Sequence, residues 1–260
     1  LWVLGCLSQE DIQVLYVDFE WSGARHRARR DKLFGSTPLP NLHYTRCYAP
    51  LTIELDRLLR YIRAHNIVYT VLDSVVPALD GKPEDADVAN RFMGAAGRLP
   101  GALALAHVTK AAAGNPDPQA KPTAFGSQFF HNLCRKSYYA KKQQDGATPS
   151  LVTVGVFPAK PSEGPPDVAV GFEFRFEPTH VGVRPIDLTA NVELSRSLPT
   201  QDRMRAQLAG GEALTVAELA DRAEAKVDTV FQTVRRKPHL YQRQASSDGI
   251  ERISLVQKGF

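Results

Sequence analysis

The feature that most constrains this chain is an alternation of short apolar runs with segments of helical periodicity. Residues 14–19, 67–72 and 102–106 are apolar runs of strand length, as expected for strands buried on both faces of a parallel sheet. Between the first two runs, leucine and isoleucine recur at the spacing of an amphipathic helix, at Leu55, Leu58, Leu59 and Ile62. This alternation predicts an α/β fold with a doubly wound, mainly parallel sheet and right-handed crossovers.

Composition bounds the class of protein. A chain of 260 residues with 43% hydrophobic residues can form one sizeable domain and a small one. No apolar run approaches the roughly 20 residues that a membrane helix needs, so we expect no contact with a membrane. Cys6, Cys47 and Cys134 form no Cys-x-x-Cys arrangement, which argues against a disulfide framework or a zinc site and favours a cytoplasmic protein. The formal charge of +4 permits binding to polyanions without requiring it.

The pattern changes along the second half of the chain. From Lys136, three strands follow in quick succession, and we expect them to extend the sheet at one edge. We interpret residues 1–193 as a core, residues 194–199 as a linker and residues 200–260 as a small winged-helix-like α+β domain. In that domain, a helix from Thr215 is followed by a second helix and by two short runs that could pair as a wing.

Acidic side chains close two of the predicted strands. Asp18 and Glu20 end the run VLYVDFEW, and Asp73 with Ser74 ends the run VLDS. Ligands of open α/β sheets bind at the carboxyl ends of the strands. There, Glu20 can polarise a water for phosphoryl transfer, and Asp73 can hold Mg²⁺ through one or two ligands and waters, the layout of a Walker B motif. Acidic residues also occur at strand ends without a functional role, and short motifs of this kind give false positives.

Further candidates follow the third strand. His107, in the run AHVTK, can hydrogen-bond a γ-phosphate and report the nucleotide state. The later FGS motif contains Gly126 and Ser127, and Arg135 and Lys160 come after it. A basic side chain that reaches a neighbouring subunit's phosphates would act as an arginine finger. The alternatives are a structural histidine and basic residues that only solvate a surface, as we expect for the basic stretch of residues 25–32.

Taken together, these segments resemble a known family. The ordered motifs are VLYVDFEW, VLDS with the later GKPEDADVAN, AHVTK, FGSQFFHNLCR, and Lys160 followed by GPP. They resemble the RecA-like, AAA-type ATPases related to plasmid RepA hexameric helicases, over residues 14–176. Several ordered motifs are far more specific than any one of them. The resemblance implies a RecA-like core, ATP and Mg²⁺ at the subunit interfaces of a homo-oligomeric, hexameric ring, and a role in DNA replication or a related DNA transaction.

The resemblance also implies roles for individual residues. Glu20 resembles the catalytic base, Asp73 the magnesium ligand and His107 the sensor. Arg135 and Lys160 resemble basic groups that complete a neighbour's site. The nucleotide is further expected to contact Ser74, Gly126 and Ser127. Residues 111–123, rich in alanine, glycine and proline, correspond to the mobile loop that faces the pore, where single-stranded DNA would meet Lys110, just before the segment, and Lys121, within it.

The sequence departs from the family in one motif. A glycine-rich phosphate loop of the G-x-x-x-x-G-K-[ST] type occurs nowhere in the 260 residues. The resemblance places that loop just before Leu1, so we expect the sequence to begin inside a longer protein and to be inactive alone. The full-length form is expected to be an ATP-hydrolysing helicase or a related DNA-linked motor. The alternative is a non-hydrolysing DNA-binding or assembly protein that keeps the ATPase fold as a scaffold.

The tail adds a second candidate DNA contact. Its predicted second helix, residues 225–237, would be the recognition helix of a winged helix and carries Lys226, Arg235 and Arg236. Such a helix would lie in the major groove of duplex DNA. Asp228 dilutes the basic face, and winged helices also serve as protein docking modules. Duplex binding and protein docking therefore both stay open.

Overall fold

The structure is a computed structural model that describes residues 1–109, 121–144, 146, 148–160, 168–245 and 249–256. The chain divides into two compact units. Of the described residues, the first unit holds those up to Arg184 except Ala169–Gly171, which group with the second unit, and the second unit continues from Pro185. No helix in the described ranges is long and apolar enough to cross a lipid bilayer.

A four-stranded parallel sheet forms the centre of the first unit. Its strands are β1 (Val14–Asp18), β2 (Leu42–Arg46), β3 (Tyr69–Asp73) and β4 (Leu103–Leu105), in the spatial order β2-β1-β3-β4. In the register, Asp18 lies opposite Arg46 on one side and Asp73 on the other. All five residues of β1 are buried because both faces of the sheet are covered. The predicted parallel α/β sheet is confirmed.

Helices cover both faces of this sheet. They are α1 (Trp2–Gln9), α2 (Gly23–Phe34), α3 (Leu51–Ala64), α4 (Ala86–Ala96) and the short α5 (Gln128–Leu133). The predicted apolar stripe of α3 packs with α4 and α5 against Leu15, Val17 and Leu72. On the opposite face, Leu4 of α1 packs against Val14 and Tyr16. Alternate residues of β1 therefore serve two separate cores, as the pleat of a strand requires.

The strands after Lys136 correct one prediction. They are β5 (Ser137–Gln144), β6 (Leu151–Lys160), β7 (Val170–Phe176) and β8 (Val181–Ile186), and they form a separate four-stranded sheet in that order instead of extending the parallel sheet. The reason is pairing: β5 pairs antiparallel with β6, whereas β4 pairs in parallel with β3. Beyond β4, Val108 forms an isolated antiparallel bridge with Ala124.

The second unit has its own core. It contains α6 (Val192–Ser195), α7 (Thr200–Leu208), α8 (Val216–Arg222), α9 (Val227–Arg236) and an antiparallel pair, β9 (Tyr241–Ala245) and β10 (Glu251–Leu255). The predicted start of α8 is confirmed, because Thr215 and Glu218 form a capping box. Within residues 194–199, expected to be a linker, Leu194 and Leu198 are buried, and the second unit continues from Pro185.

Candidate functional site

Three of the sequence-predicted site residues meet at the carboxyl edge of the parallel sheet. Glu20 follows β1, Ser74 follows β3 and His107 follows β4. The Ser74 hydroxyl donates to Glu20 Oε2 over 3.0 Å, and His107 Nε2 lies 3.8 Å from the same oxygen. Glu20 is 36% exposed and His107 is 70% exposed. The site is therefore open to solvent and can admit a ligand.

Asp73 occupies the end of β3 beside this group. It is half-buried, and the Tyr16 hydroxyl donates to its Oδ2. Its neighbour Ser74 brings a hydroxyl, and Glu20 brings a second carboxylate to the same edge. In the described part of the chain, no three His, Cys, Asp or Glu side chains gather as a metal cluster. Oxygen ligands in small number suit Mg²⁺, which keeps several waters and binds substrate phosphates.

Asp18 is the buried residue that fixes where Glu20 leaves the sheet. Its Oδ1 accepts hydrogen bonds from the backbone N–H groups of Glu20 and Trp21, over 2.9 and 2.8 Å, and its Oδ2 accepts one of 2.7 Å from the Tyr44 hydroxyl. Burial alone would raise the pKa of Asp18, but these hydrogen bonds outweigh burial and lower it. The carboxylate therefore stays charged and holds the turn.

A buried histidine and two tyrosines surround Asp18. His26 Nε2 lies 3.3 Å from Asp18 Oδ2, but without hydrogen-bond geometry. Burial lowers the pKa of His26 more than the nearby Asp18 raises it, so a neutral imidazole packs here. Burial and hydrogen bonds to carboxylates raise the pKa values of Tyr16 and Tyr44. Sequence reasoning missed His26 because it lies among exposed arginines in α2, where no periodic signal marks a buried face.

Gly126 and Ser127 lie in a turn that is held by backbone contacts. Gly126 has φ +112°, and a Cβ there would lie 2.5 Å from the carbonyl oxygen of Pro83, so the position requires glycine. The Ser127 N–H donates to the same Pro83 oxygen over 2.7 Å. The preceding Phe125 N–H donates to the His107 carbonyl over 2.7 Å. This turn is thus tied to the backbone of His107.

The two candidate basic residues differ in their surroundings. The Lys160 ammonium donates to three carbonyl oxygens at the end of α5, those of His131, Asn132 and Cys134, over 3.1, 2.8 and 2.7 Å. Arg135 is exposed. No contact among the described residues joins either side chain to Glu20 or Asp73. Lys160 therefore stabilises the α5 terminus in the structure, by the preference of cations for that end.

The candidate DNA contacts are exposed where the structure describes them. Lys110 lies outside the described residues, whereas Lys121 is exposed. On the tail, Lys226 precedes α9, and Arg235 and Arg236 occupy its last turn. All three tail residues are exposed.

Comparisons with known proteins bear on the fold. No family model matches the chain. No curated protein matches it either. A solved structure that does match is a KaiC-like protein from the hyperthermophilic archaeon Pyrococcus horikoshii OT3, with 12% sequence identity and a TM-score of 0.50, covering 70% of this chain and 80% of that one. At this identity the likeness shows the fold alone, and it confirms a RecA-like α/β core.

Proposed function

We propose that the first unit is most of a RecA-like P-loop ATPase core, of the RepA-type helicase class or a related DNA-linked motor, that hydrolyses ATP at subunit interfaces. One observation carries this proposal: a carboxylate, a carboxylate–hydroxyl pair and a histidine converge from the ends of three adjacent parallel strands. They are Glu20, Asp73 with Ser74, and His107. The sheet edge where they meet is where ligands of open α/β sheets bind.

Glu20 has the properties of a general base. It is partly exposed, so a water can reach it, and the Ser74 hydroxyl and the His107 ring approach its Oε2. The Asp18 turn fixes the backbone from which it projects. A positioned carboxylate of this kind can accept a proton from water as the water attacks a phosphoryl group. His107, tied through its carbonyl to the Gly126 turn, can couple the γ-phosphate to that segment.

The phosphate grip is proposed to come from a further strand beside β4. β4 is the outermost of the described strands on this side of the parallel sheet, and Leu103 and Leu105 there are each 40% exposed. A parallel strand against β4 would bury both leucines. Its carboxyl end would then deliver a glycine-rich loop, whose N–H groups bind phosphates, to the edge that holds Glu20 and Asp73. In this arrangement Asp73 would hold the Mg²⁺ that neutralises phosphate charge.

Asp73→Asn tests this role. We measure steady-state ATP hydrolysis against Mg²⁺ concentration, in a polypeptide that supplies the proposed phosphate loop. The amide keeps the shape but loses the charge, so we expect kcat to fall about 100-fold or more and the Mg²⁺ requirement to rise. The matched control is Asp80→Asn, an exposed carboxylate further along the chain. An unchanged Mg²⁺ dependence in Asp73→Asn would remove Asp73 from the site.

The basic groups that complete a neighbour's site in a homo-oligomeric ring are proposed to include Arg135. It is exposed, and its planar guanidinium suits phosphate recognition. Lys160 would have to give up three carbonyl contacts to do the same. We therefore propose Arg135 as the residue that reaches the neighbour and Lys160 as the residue that stabilises the helix end before it. Ring size rests on the family resemblance.

The tail is proposed to bind duplex DNA as a winged-helix-like domain. Helices α7, α8 and α9 precede the β9–β10 hairpin; Lys226 is exposed just before α9, and Arg235 and Arg236 are exposed in its last turn. A specific observation also favours protein docking: Val227 and Phe231, on the same helix, are 55% and 38% exposed. Exposed apolar side chains one turn apart are typical of helices that meet another protein.

Charge reversal separates the two readings of the tail. We expect Arg235→Glu with Arg236→Glu to flatten the log–log salt dependence of duplex binding by about one to two units, since each phosphate contact contributes about 0.9. Fluorescence anisotropy of the full chain at several salt concentrations measures this slope. The matched control reverses the charges of Arg60 and Arg63, which are exposed on α3. An unchanged slope would assign the tail to protein docking.

A further inference from the structure

Helix α2 carries the densest basic surface of the first unit's helices. Its twelve residues include one carboxylate, Asp31, and five basic side chains, all of them exposed: Arg25, Arg27, Arg29, Arg30 and Lys32. Asp31 is paired with Arg30. The remaining positive charge is therefore not neutralised within the helix.

Two of these arginines share one aromatic ring. The guanidinium carbons of Arg25 and Arg29 lie 4.2 and 5.0 Å from the ring centre of Trp21, which precedes the helix. Residues four apart lie on the same face of a helix, and a tryptophan ring attracts cations. Throughout the described ranges, no carboxylate oxygen lies within ion-pair distance of either guanidinium. Trp21 thus holds two like charges together without an acidic partner.

A bound anion would offset the repulsion between the Arg25 and Arg29 guanidinium groups. Two guanidinium groups held near each other repel, and a ligand phosphate between them would convert repulsion into attraction. Stacking on Trp21 also restricts the rotamers of both side chains, so less entropy is lost when they bind. Lys32 follows Arg25 by two helical turns, about 10 Å along the axis at 1.5 Å per residue, and continues the same stripe. The stripe is an open surface that suits an extended polyanion.

We propose that Trp21, Arg25, Arg29 and Lys32 form a binding surface for the phosphodiester backbone of single-stranded nucleic acid. A row of cations beside an aromatic ring is the combination that binds single strands without sequence preference. This surface uses none of the residues proposed for DNA contact in the tail or in the loop. It needs neither ATP nor the phosphate loop, so it can be tested without nucleotide, and its failure would leave the proposed ATPase untouched.

Trp21 provides a local reporter. The chain has two tryptophans, and Trp2→Phe leaves Trp21 as the single one. Titration of this variant of the 260-residue chain with a thymidine oligonucleotide, without nucleotide, should change Trp21 fluorescence, and the apparent affinity should fall as salt rises. Arg25→Gln with Arg29→Gln should weaken binding about tenfold or more and flatten the salt slope by about 1.4, at about 0.7 per phosphate contact for single strands.

Two further variants keep the test decisive. Arg60→Gln with Arg63→Gln removes the same charge from α3 and should leave affinity within about twofold, as expected when no phosphate contact is lost. Arg25→Lys with Arg29→Lys keeps the charge but loses the planar stacking group, and should bind with intermediate affinity. Equal weakening by the α3 and α2 pairs would overturn the proposal. Inorganic phosphate is the competitor that distinguishes a site for free phosphate from a site for nucleic acid. If inorganic phosphate displaced the oligonucleotide when present at the same concentration as the oligonucleotide's phosphate groups, the proposal would also be overturned.

Discussion

At the carboxyl edge of the parallel sheet, the residues that end β1 and those that end β4 differ in burial and in hydrogen bonding. At the β1 end, Asp18 is fully buried and accepts three hydrogen bonds, and Glu20 leaves from a fixed turn. At the β4 end, Leu105 is 40% exposed and His107 is 70% exposed. A folded chain can therefore position the residues proposed as base and metal ligand while the side proposed to receive a phosphate loop stays open.

The β1 end and the β4 end therefore contribute differently to the stability of the first unit. The β1 end is stabilised by a polar network inside the sheet, where a lost hydrogen bond leaves buried groups without partners. The β4 end contributes less to folding of this unit because Leu103 and Leu105 remain partly in solvent. Substitutions at the two ends should therefore have opposite profiles: large effects on stability at β1, and small effects at β4.

The largest expected effect is at Asp18. Asp18→Ala leaves the Tyr44 hydroxyl and the N–H groups of Glu20 and Trp21 without their acceptor, so we expect a loss of about 3 kcal/mol or more in the free energy of unfolding. Asp18→Asn keeps one acceptor oxygen and should cost about 1–2 kcal/mol. Urea denaturation followed by circular dichroism measures both. Equal stability of Asp18→Ala and the parent would contradict the network.

The same substitutions should change how the free energy of unfolding depends on pH. The pKa of Asp18 is lowered in the folded state, so its stabilisation is present above the unfolded pKa, about 3.9, and is lost as pH falls through the lower folded value. Asp18→Asn should lack this component of the acid-induced loss. Denaturation series at neutral pH and below about pH 4 provide the comparison.

The smallest expected effect is at the β4 edge. Leu103→Thr with Leu105→Thr keeps strand propensity on exposed positions, and should change the stability of the 260-residue chain by less than about 0.5 kcal/mol. The matched control is Leu72→Ala in β3, a fully buried leucine whose loss should cost about 2–5 kcal/mol. Thermal or urea unfolding tests both. A large loss at Leu103 and Leu105 would mean that β4 is already covered.

The sequence predicted the parallel core because its signal is local. Runs such as residues 14–19 are apolar on both faces, and α3 shows a clear apolar stripe, so strand and helix could be assigned without tertiary knowledge. The convergence of Glu20, Ser74 and His107 followed from the rule that parallel strands end at one edge. These predictions depended on residue type and order alone.

The rest depended on long-range pairing. Whether β5 joins β4 or β6 is decided by backbone hydrogen bonds between distant segments, and the alternation of β5 fits either sheet. The role of Asp18 depends on Tyr44, which lies 26 residues away. The Trp21 ring under Arg25 and Arg29 also has no periodic signature. Such features become visible only once the register of the strands is known.

Glu20→Gln tests whether the strand-end residues form an ATPase site. In a polypeptide that supplies the proposed phosphate loop, the substitution would remove the proposed base without removing a phosphate contact. Single-turnover hydrolysis should slow by about 10²- to 10⁴-fold, while the Kd for ATP stays within about threefold of the parent value. Hydrolysis by Glu20→Gln at the parental rate would mean that Glu20 is not the base.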